Sequence, residues 1–177
     1  PARIPRGEHR LPVIVWIHGG GNTVGHGGGF DAGLLAVSQQ VIVVSVNFRL
    51  WVFGWFRHAA LRAAAAADDA SGNFALLDLI CALQWVRDNI TAFGGHPDCV
   101  TLMGESAGAW NVLALLASPR AAGLFHRAIA HSGPPVSFTA PAAENYRDQE
   151  EAGHAQSSGE LLLQLLIHDR LAADRES

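Results

Sequence analysis

The chain predicts an α/β fold, a mostly parallel sheet flanked by helices, and three observations carry that prediction. Four apolar, β-prone runs at 13–17, 41–47, 100–103 and 128–130 are each followed by loop or helical composition. Continuous rather than alternating apolar strands between helices indicate a parallel sheet covered on both faces. The strand at 99–103 also runs through Gly104-Glu105-Ser106-Ala107-Gly108 straight into an Ala/Leu-rich stretch, which favours helix. Finally, the candidate site residues fall at the carboxyl ends of three such strands, where open α/β sheets place their ligands.

Taken in order, Leu11-Pro12-Val13-Ile14-Val15-Trp16-Ile17 is a buried-strand run ending in His18-Gly19-Gly20-Gly21. After the second strand, residues 57–71 combine an alanine run with Asp68-Asp69 and predict a solvated helix or loop. Residues 74–90 predict a helix that is apolar on most sides and therefore deeply packed. Gly94-Gly95-His96-Pro97-Asp98 is a turn signal before the third strand. Ser157-Ser158-Gly159-Glu160 ahead of Leu161-Leu162-Leu163 is a capping box opening an amphipathic helix. No long repeat or domain linker interrupts the chain.

Ser106 is the candidate nucleophile. A strand running directly into a helix forces the linking residue into a strained conformation, and glycines two before and two after leave room for the bend. The serine then stands at a helix start, where free N–H groups and the helix dipole favour an anion. The His18-Gly19-Gly20-Gly21 run supplies what such a serine needs. Successive glycines let backbone N–H groups point at a developing alkoxide with no side chain between. Each preorganised donor is worth about 2.7–4 kcal/mol in a transition state. Gly20 and Gly21 are therefore assigned to an oxyanion hole, with the amide of Ala107 as third donor. His26-Gly27-Gly28-Gly29 repeats the four letters but does not sit on the end of an apolar strand, so it predicts a flexible loop. Neither cluster fits a phosphate cradle, because no Gly-Lys-Ser/Thr follows and the third spaced glycine is missing.

Composition narrows the partners. The net charge is −4 and all 12 basic residues are dispersed arginines, which argues against a nucleic-acid face. No apolar run reaches membrane-spanning length. No His/Cys spacing suits a metal, and no cofactor motif is present. Cys81 and Cys99 are expected to be free core or loop thiols, and two cysteines do not fix a redox compartment.

Several separated stretches together resemble the type-B carboxylesterase family, which includes para-nitrobenzyl esterases, mammalian carboxylesterases and cholinesterases. They are Val15 to Gly21, Val46-Asn47-Phe48-Arg49-Leu50, Gly72-Asn73 through Asp78, and Ala82-Leu83-Gln84-Trp85-Val86. The pattern continues through Asn89-Ile90, Phe93-Gly94-Gly95, Val100-Thr101, Gly104 to Gly108, Phe125-His126-Arg127-Ala128-Ile129 and Ser132-Gly133. The resemblance implies a partial α/β-hydrolase fold, a small-molecule carboxylic ester as substrate, and Ser106 as nucleophile with Gly20, Gly21 and Ala107 as oxyanion donors. It implies that Glu105 and Ser132 are supporting polar residues, and that Arg49 and Asp78 form a buried ion pair of structural rather than catalytic role. Residues 1–135 then form the central part of the catalytic domain, and 136–177 a polar, helical, truncated continuation of it.

Some positions depart from the family pattern. Ala75 and Trp51 stand where glycine is usual, Leu79 where glutamine is usual, His96 where aspartate precedes proline, and Asn22 where an aromatic or aliphatic residue is usual. Asn22 and Trp51 are expected to reshape the pocket wall. Family members are considerably longer, and their chain order is Ser, then Asp/Glu, then His. The triad acid and histidine are thus expected beyond Ser177, and the chain is expected to be an internal fragment with little or no activity alone. His126, His131, His154 and His168 are expected in surface or loop roles, Glu144, Glu150, Glu151 and Asp169 as solvated helix charges, and His18 as part of the oxyanion loop. Two functions remain open: a serine carboxylesterase acting through an acyl-enzyme, and a non-catalytic binding or adhesion scaffold or remnant like the family's cell-adhesion relatives.

Overall fold

The computed structural model describes residues 10–63, 65–135 and 137–169. Parts of the two predicted segments, namely 1–9, 64, 136 and 170–177, lie outside the described residues. The chain forms two compact units, one from the stretches 1–54 and 75–135, the other from 55–74 and 136–177.

The first unit is built on four strands, β1 (Leu11–Ile17), β2 (Ile42–Val46), β3 (Gly95–Glu105) and β4 (Arg127–His131), flanked by helices. They lie in the order β2-β1-β3-β4, and every pairing is parallel. Parallel neighbours require crossovers. These are made by α1 (Gly33–Gln39), by α3 (Phe74–Asn89) and by α4 (Ala107–Ala117). The core gathers where the apolar runs meet: Val13, Val15 and Ile17 of β1, Val100 and Leu102 of β3, and Val112 and Leu115 of α4 are all at most 1% exposed.

Three expectations about the strands and α3 change in this unit. The turn signal at 94–98 runs into a strand: Gly94 closes the preceding 3₁₀ turn, β3 starts at Gly95, which pairs with Leu11, and the register then jumps so that Val13 pairs with Val100. His96-Pro97-Asp98-Cys99 bulge out between those pairings, with the Asp98 N–H donating to His96 Nδ1 at 3.1 Å. The glycine-proline cluster thus marks both a boundary, at Gly94, and an interruption within the strand. Coverage of both sheet faces fails at β4, where every residue is exposed, because β4 is an edge strand paired only to β3 among the described residues. The third change concerns α3. It buries Ala75, Leu79, Ile80, Leu83 and Val86, but Cys81 is exposed and Trp85 is 47% exposed. The apolar residues of α3 form one buried face, not a helix buried all round. Both cysteines are free.

The second unit holds α2 (Ala59–Arg62), α5 (Ala140–Glu144) and α6 (Ser158–His168). Ser157 caps α6, its hydroxyl accepting from the Glu160 N–H at 3.3 Å. The reciprocal half of the expected capping box is absent, because Glu160 Oε1 accepts from the Arg147 N–H at 2.8 Å. Glu144 is likewise no solvated charge. Its carboxylate is 12% exposed and pairs with Arg57 at 3.0 Å and with Arg62. Burial pushes that carboxyl up, but hydrogen bonds from Arg62 and Arg57 outweigh it and hold the group below the usual glutamate range. No helix among the described residues is long and apolar enough to cross a membrane.

Candidate active site

β3 ends at Glu105 and α4 begins at Ala107, so Ser106 alone makes the bend. Its φ of 54° and ψ of −121° fall outside the regions open to most L-residues. Such strain costs about 1–3 kcal/mol and persists only where the surroundings impose it. Here they do. The Ser106 N–H donates to the His131 carbonyl at 2.9 Å, and the Ser106 carbonyl accepts from the Ala109 and Trp110 N–H groups at 2.9 and 3.2 Å. The flanking glycines are sterically required: a Cβ on Gly104 would stand 2.3 Å from the Gly108 oxygen, and one on Gly108 would stand 2.1 Å from the Ile17 oxygen. The first turn of α4 therefore lies directly on the end of β1.

That contact brings the glycine loop to the serine. A Cβ on Gly19 would lie 3.1 Å from Ser106 Cβ and 2.9 Å from the Glu105 carbonyl oxygen. Gly20 follows with φ 102° and Gly21 with φ 63°. The Gly20 carbonyl accepts from the Thr23 and Val24 N–H groups, each at 3.1 Å, and from Thr23 Oγ1 at 3.1 Å. A trans peptide sets the Gly21 N–H antiparallel to that carbonyl, so the loop's internal bonds fix the direction of one candidate donor. Ala107 is fully buried. As the first residue of α4 it has no intrahelical acceptor for its N–H.

The other predicted residues surround this point. Glu105 is exposed, yet its carboxylate approaches Gly19, where a Cβ would meet Oε2 at 2.8 Å. Ser132 has φ 58°, and its Oγ lies 3.0 Å from His131 Nδ1. Its neighbour Gly133 abuts the Ser106 carbonyl, which a Cβ there would approach to 2.5 Å. His18 is 6% exposed and stacks on Phe48 with ring centroids 4.6 Å apart. Its Nδ1 sits 2.7 Å from the Gly19 carbonyl. That carbonyl can only accept, so Nδ1 carries the proton.

His126 and His154 have other partners. His126 Nδ1 accepts from the Val100 N–H at 3.2 Å, and His154 Nδ1 accepts from the Gln156 N–H at 3.2 Å. Among the described residues no histidine hydrogen-bonds Ser106 Oγ. The second glycine run is not a flexible loop. Residues Gly27–Gly29 form a 3₁₀ turn held by a bond from the Gly27 N–H to Asn47 Oδ1 at 2.8 Å. No group of three or more potential metal ligands occurs among the described residues.

Arg49 and Asp78 do pair. Arg49 Nε and Nη2 reach the two carboxylate oxygens at 2.9 and 2.8 Å, and the Arg49 N–H adds a third bond at 3.0 Å. The expected burial is not observed, since the side chains are 50% and 27% exposed. Asp78 lies on α3 beside Leu79 of the buried face, where the guanidinium can reach it while keeping one edge in water.

One residue at this site was missed from sequence. Asn111, 2% exposed, is held by the side chain of Asn22. The signal was present: a lone amide in the apolar run Ala107 to Ala117 has to find a partner when buried.

The parallel sheet, the serine bend at the end of β3 and the glycine loop at the end of β1 define the class of protein, an α/β-hydrolase. The family profile described as "Carboxylesterase family" matches residues 1–159, and the chain belongs to that family. It is 42% identical over 170 residues to carboxylesterase 5A of Felis catus, covering 92% of this chain and 30% of that protein. It is 47% identical over 124 residues to carboxylesterase 1D of Rattus norvegicus, covering 70% of this chain and 21% of that one. A solved PNB esterase superposes with a TM-score of 0.73 at 39% identity, over 93% of this chain and 31% of the other. The Geobacillus stearothermophilus carboxylesterase EST55 superposes with a TM-score of 0.62 at 43% identity, over 67% and 25%. The chain thus spans only about a fifth to a third of the length of such relatives.

Proposed function

We propose that these residues supply the nucleophile and the oxyanion-binding loop of a serine esterase that cleaves uncharged carboxylic esters through an acyl-enzyme. Ser106 Oγ attacks the ester carbonyl. The N–H groups of Gly20, Gly21 and Ala107 receive the oxyanion of the tetrahedral intermediate, the alcohol departs, and water then releases the acid. Glu105 and Ser132 act as supporting groups, keeping the glycine loop and the β4 end in place around the serine. Residues 1–135 are the central part of the catalytic domain and 136–177 its helical continuation. The general base and its carboxylate partner are supplied from outside the residues described. The relatives' much greater length supports that last step.

The observation that carries this reading is the strained Ser106 backbone with Gly19 packed against its Cβ. A structural turn has no need to hold a serine at φ 54° when glycine adopts that conformation freely.

The test uses the full-length protein that carries these residues. It should react with a fluorophosphonate at Ser106 and hydrolyse para-nitrophenyl butyrate, and Ser106→Ala should abolish both. An intact, folded protein that neither labels nor turns over ester would leave the non-catalytic scaffold as the function.

A further inference from the structure

The Asn22–Asn111 pair joins two places that ester hydrolysis would need to hold in register. Asn22 directly follows Gly21, and Asn111 lies on α4, the helix that Ser106 caps. Their side-chain amides bond reciprocally: Asn22 Nδ2 donates to Asn111 Oδ1 at 3.3 Å, and Asn111 Nδ2 donates to Asn22 Oδ1 at 2.8 Å. We propose that this amide clasp sets the distance between the Gly20–Gly21 amides and Ser106, making Asn22 and Asn111 positioning residues for ester hydrolysis. The proposal rests on the esterase reading above.

Four features make the clasp more than a surface contact. Asn111 is 2% exposed, so opening the loop leaves a buried amide without partners, and the closed position is strongly preferred. Asn22 is held from the other side too, its carbonyl accepting from the Trp51 N–H at 2.7 Å. Its φ of 59° belongs to the left-handed region, which asparagine tolerates better than most residues. Finally, the loop between is braced internally through three bonds to the Gly20 carbonyl. One end touches Ser106 through Gly19, and the amide pair fixes the other.

The chemistry suits the task. Two reciprocal bonds fix angle as well as distance, which an apolar contact does not. The pair is neutral, so it positions the donors without placing a charge beside the developing oxyanion. Because oxyanion donors act only at the correct separation, loosening the clasp should weaken transition-state binding and leave ground-state binding alone.

Asn22→Gly, Asn111→Ala and the double variant, made in the full-length protein, test the proposal. Glycine accepts φ 59° and keeps the carbonyl bond to Trp51, so Asn22→Gly removes the side-chain clasp without backbone strain and remains folded. Each single variant should lower kcat by about tenfold or more, with KM within about twofold of wild type. The Ki of a trifluoromethyl ketone, whose hemiketal oxyanion occupies the same donors, should rise by the factor that kcat falls. The double variant should be no worse than the more damaging single one, because the clasp is broken once. Unchanged kcat and Ki in folded Asn22→Gly, a rise confined to KM, or additive losses would each overturn the clasp. A wild-type protein that a fluorophosphonate fails to label would overturn the esterase reading and the clasp together. Normal wild-type labelling with an unchanged rate in Asn22→Gly would overturn the clasp alone.

Discussion

The backbone N–H of Ser106 donates to the carbonyl of His131 at 2.9 Å, so the bend after β3 is tied to the end of the neighbouring strand β4. The bond continues the ladder in which Glu105 pairs with His131, and it helps hold Ser106 at φ 54° and ψ −121°. An edge strand with no buried residue thereby keeps the most strained position of the bend in place.

Ser106→Gly should raise stability while removing the nucleophile. The strain costs about 1–3 kcal/mol, and glycine's extra chain entropy returns about 0.5–1 kcal/mol of that. A net gain of about 1 kcal/mol is expected, read as a higher urea midpoint at unchanged slope. Ser106→Ala should give no such gain. A less stable Ser106→Gly would show that the bend is not strained.

Gly108→Ala should be far more damaging than its size suggests. The added methyl would meet the Ile17 oxygen at 2.1 Å and the His18 oxygen at 2.8 Å, and backbone cannot rotate away as a side chain can. A loss at or above the upper end of the usual overpacking range, about 3 kcal/mol, is expected. Gly123→Ala, where a Cβ has no atom within 4 Å, is the control. It should show only the modest cost of its positive φ of 76°. Thermal melts of the two variants separate packing from backbone conformation.

Trp51→Gly should be net destabilising despite relieving strain. Trp51 has φ 55° but is only 53% exposed, so about half of a large indole side chain is covered. A left-handed non-glycine residue costs about 1–2 kcal/mol, of which glycine's entropy returns about 0.5–1 kcal/mol, whereas uncovering half an indole costs about 2–3 kcal/mol. The N–H bond of residue 51 to the Asn22 carbonyl survives the change. A urea midpoint equal to or above that of the wild type, at unchanged slope, would show that backbone strain outweighs the packing of the indole.

Acid should weaken both units through named carboxylates. At Asp78 burial raises the pKa, but hydrogen bonds from the Arg49 side chain and backbone outweigh it, so the folded value lies below the ordinary one. Glu144 is lowered in the same way by Arg62 and Arg57. A carboxyl depressed on folding contributes stability that is complete above its unfolded pKa, about 4, and is lost as pH falls through its folded pKa. Asp78→Asn should cost about 0.5–1 kcal/mol at pH 7, because its partner is half exposed and solvent screens the pair. Glu144→Gln should cost more, since two guanidinium groups lose one less exposed acceptor. In both variants the acid limb of the stability curve below pH 4 should flatten. A variant that kept the wild-type slope there would show that its pair does not carry the pH dependence.

Local pattern was enough for much of this protein. The apolar runs 13–17 and 100–103, the bend at Ser106, the helix starting at Phe74 and the serine cap of α6 depend on neighbours within a few residues, so sequence order expresses them. Family membership is legible for the same reason, since its motifs are contiguous and keep their spacing. Apart from those the family resemblance implied, such as the Arg49–Asp78 pair, contacts between distant residues were not legible. Asn22 and Asn111 are 89 positions apart, and nothing in either neighbourhood states that one faces the other. The bulge at 96–99 exists because Leu11 and Val13 choose their partners on β3, and Glu144 is paired because two arginines far along the chain arrive at it. Hydrophobic periodicity and turn chemistry are written residue by residue. Register, edge exposure and polar pairing are properties of two surfaces meeting, and they exist only once the chain has packed.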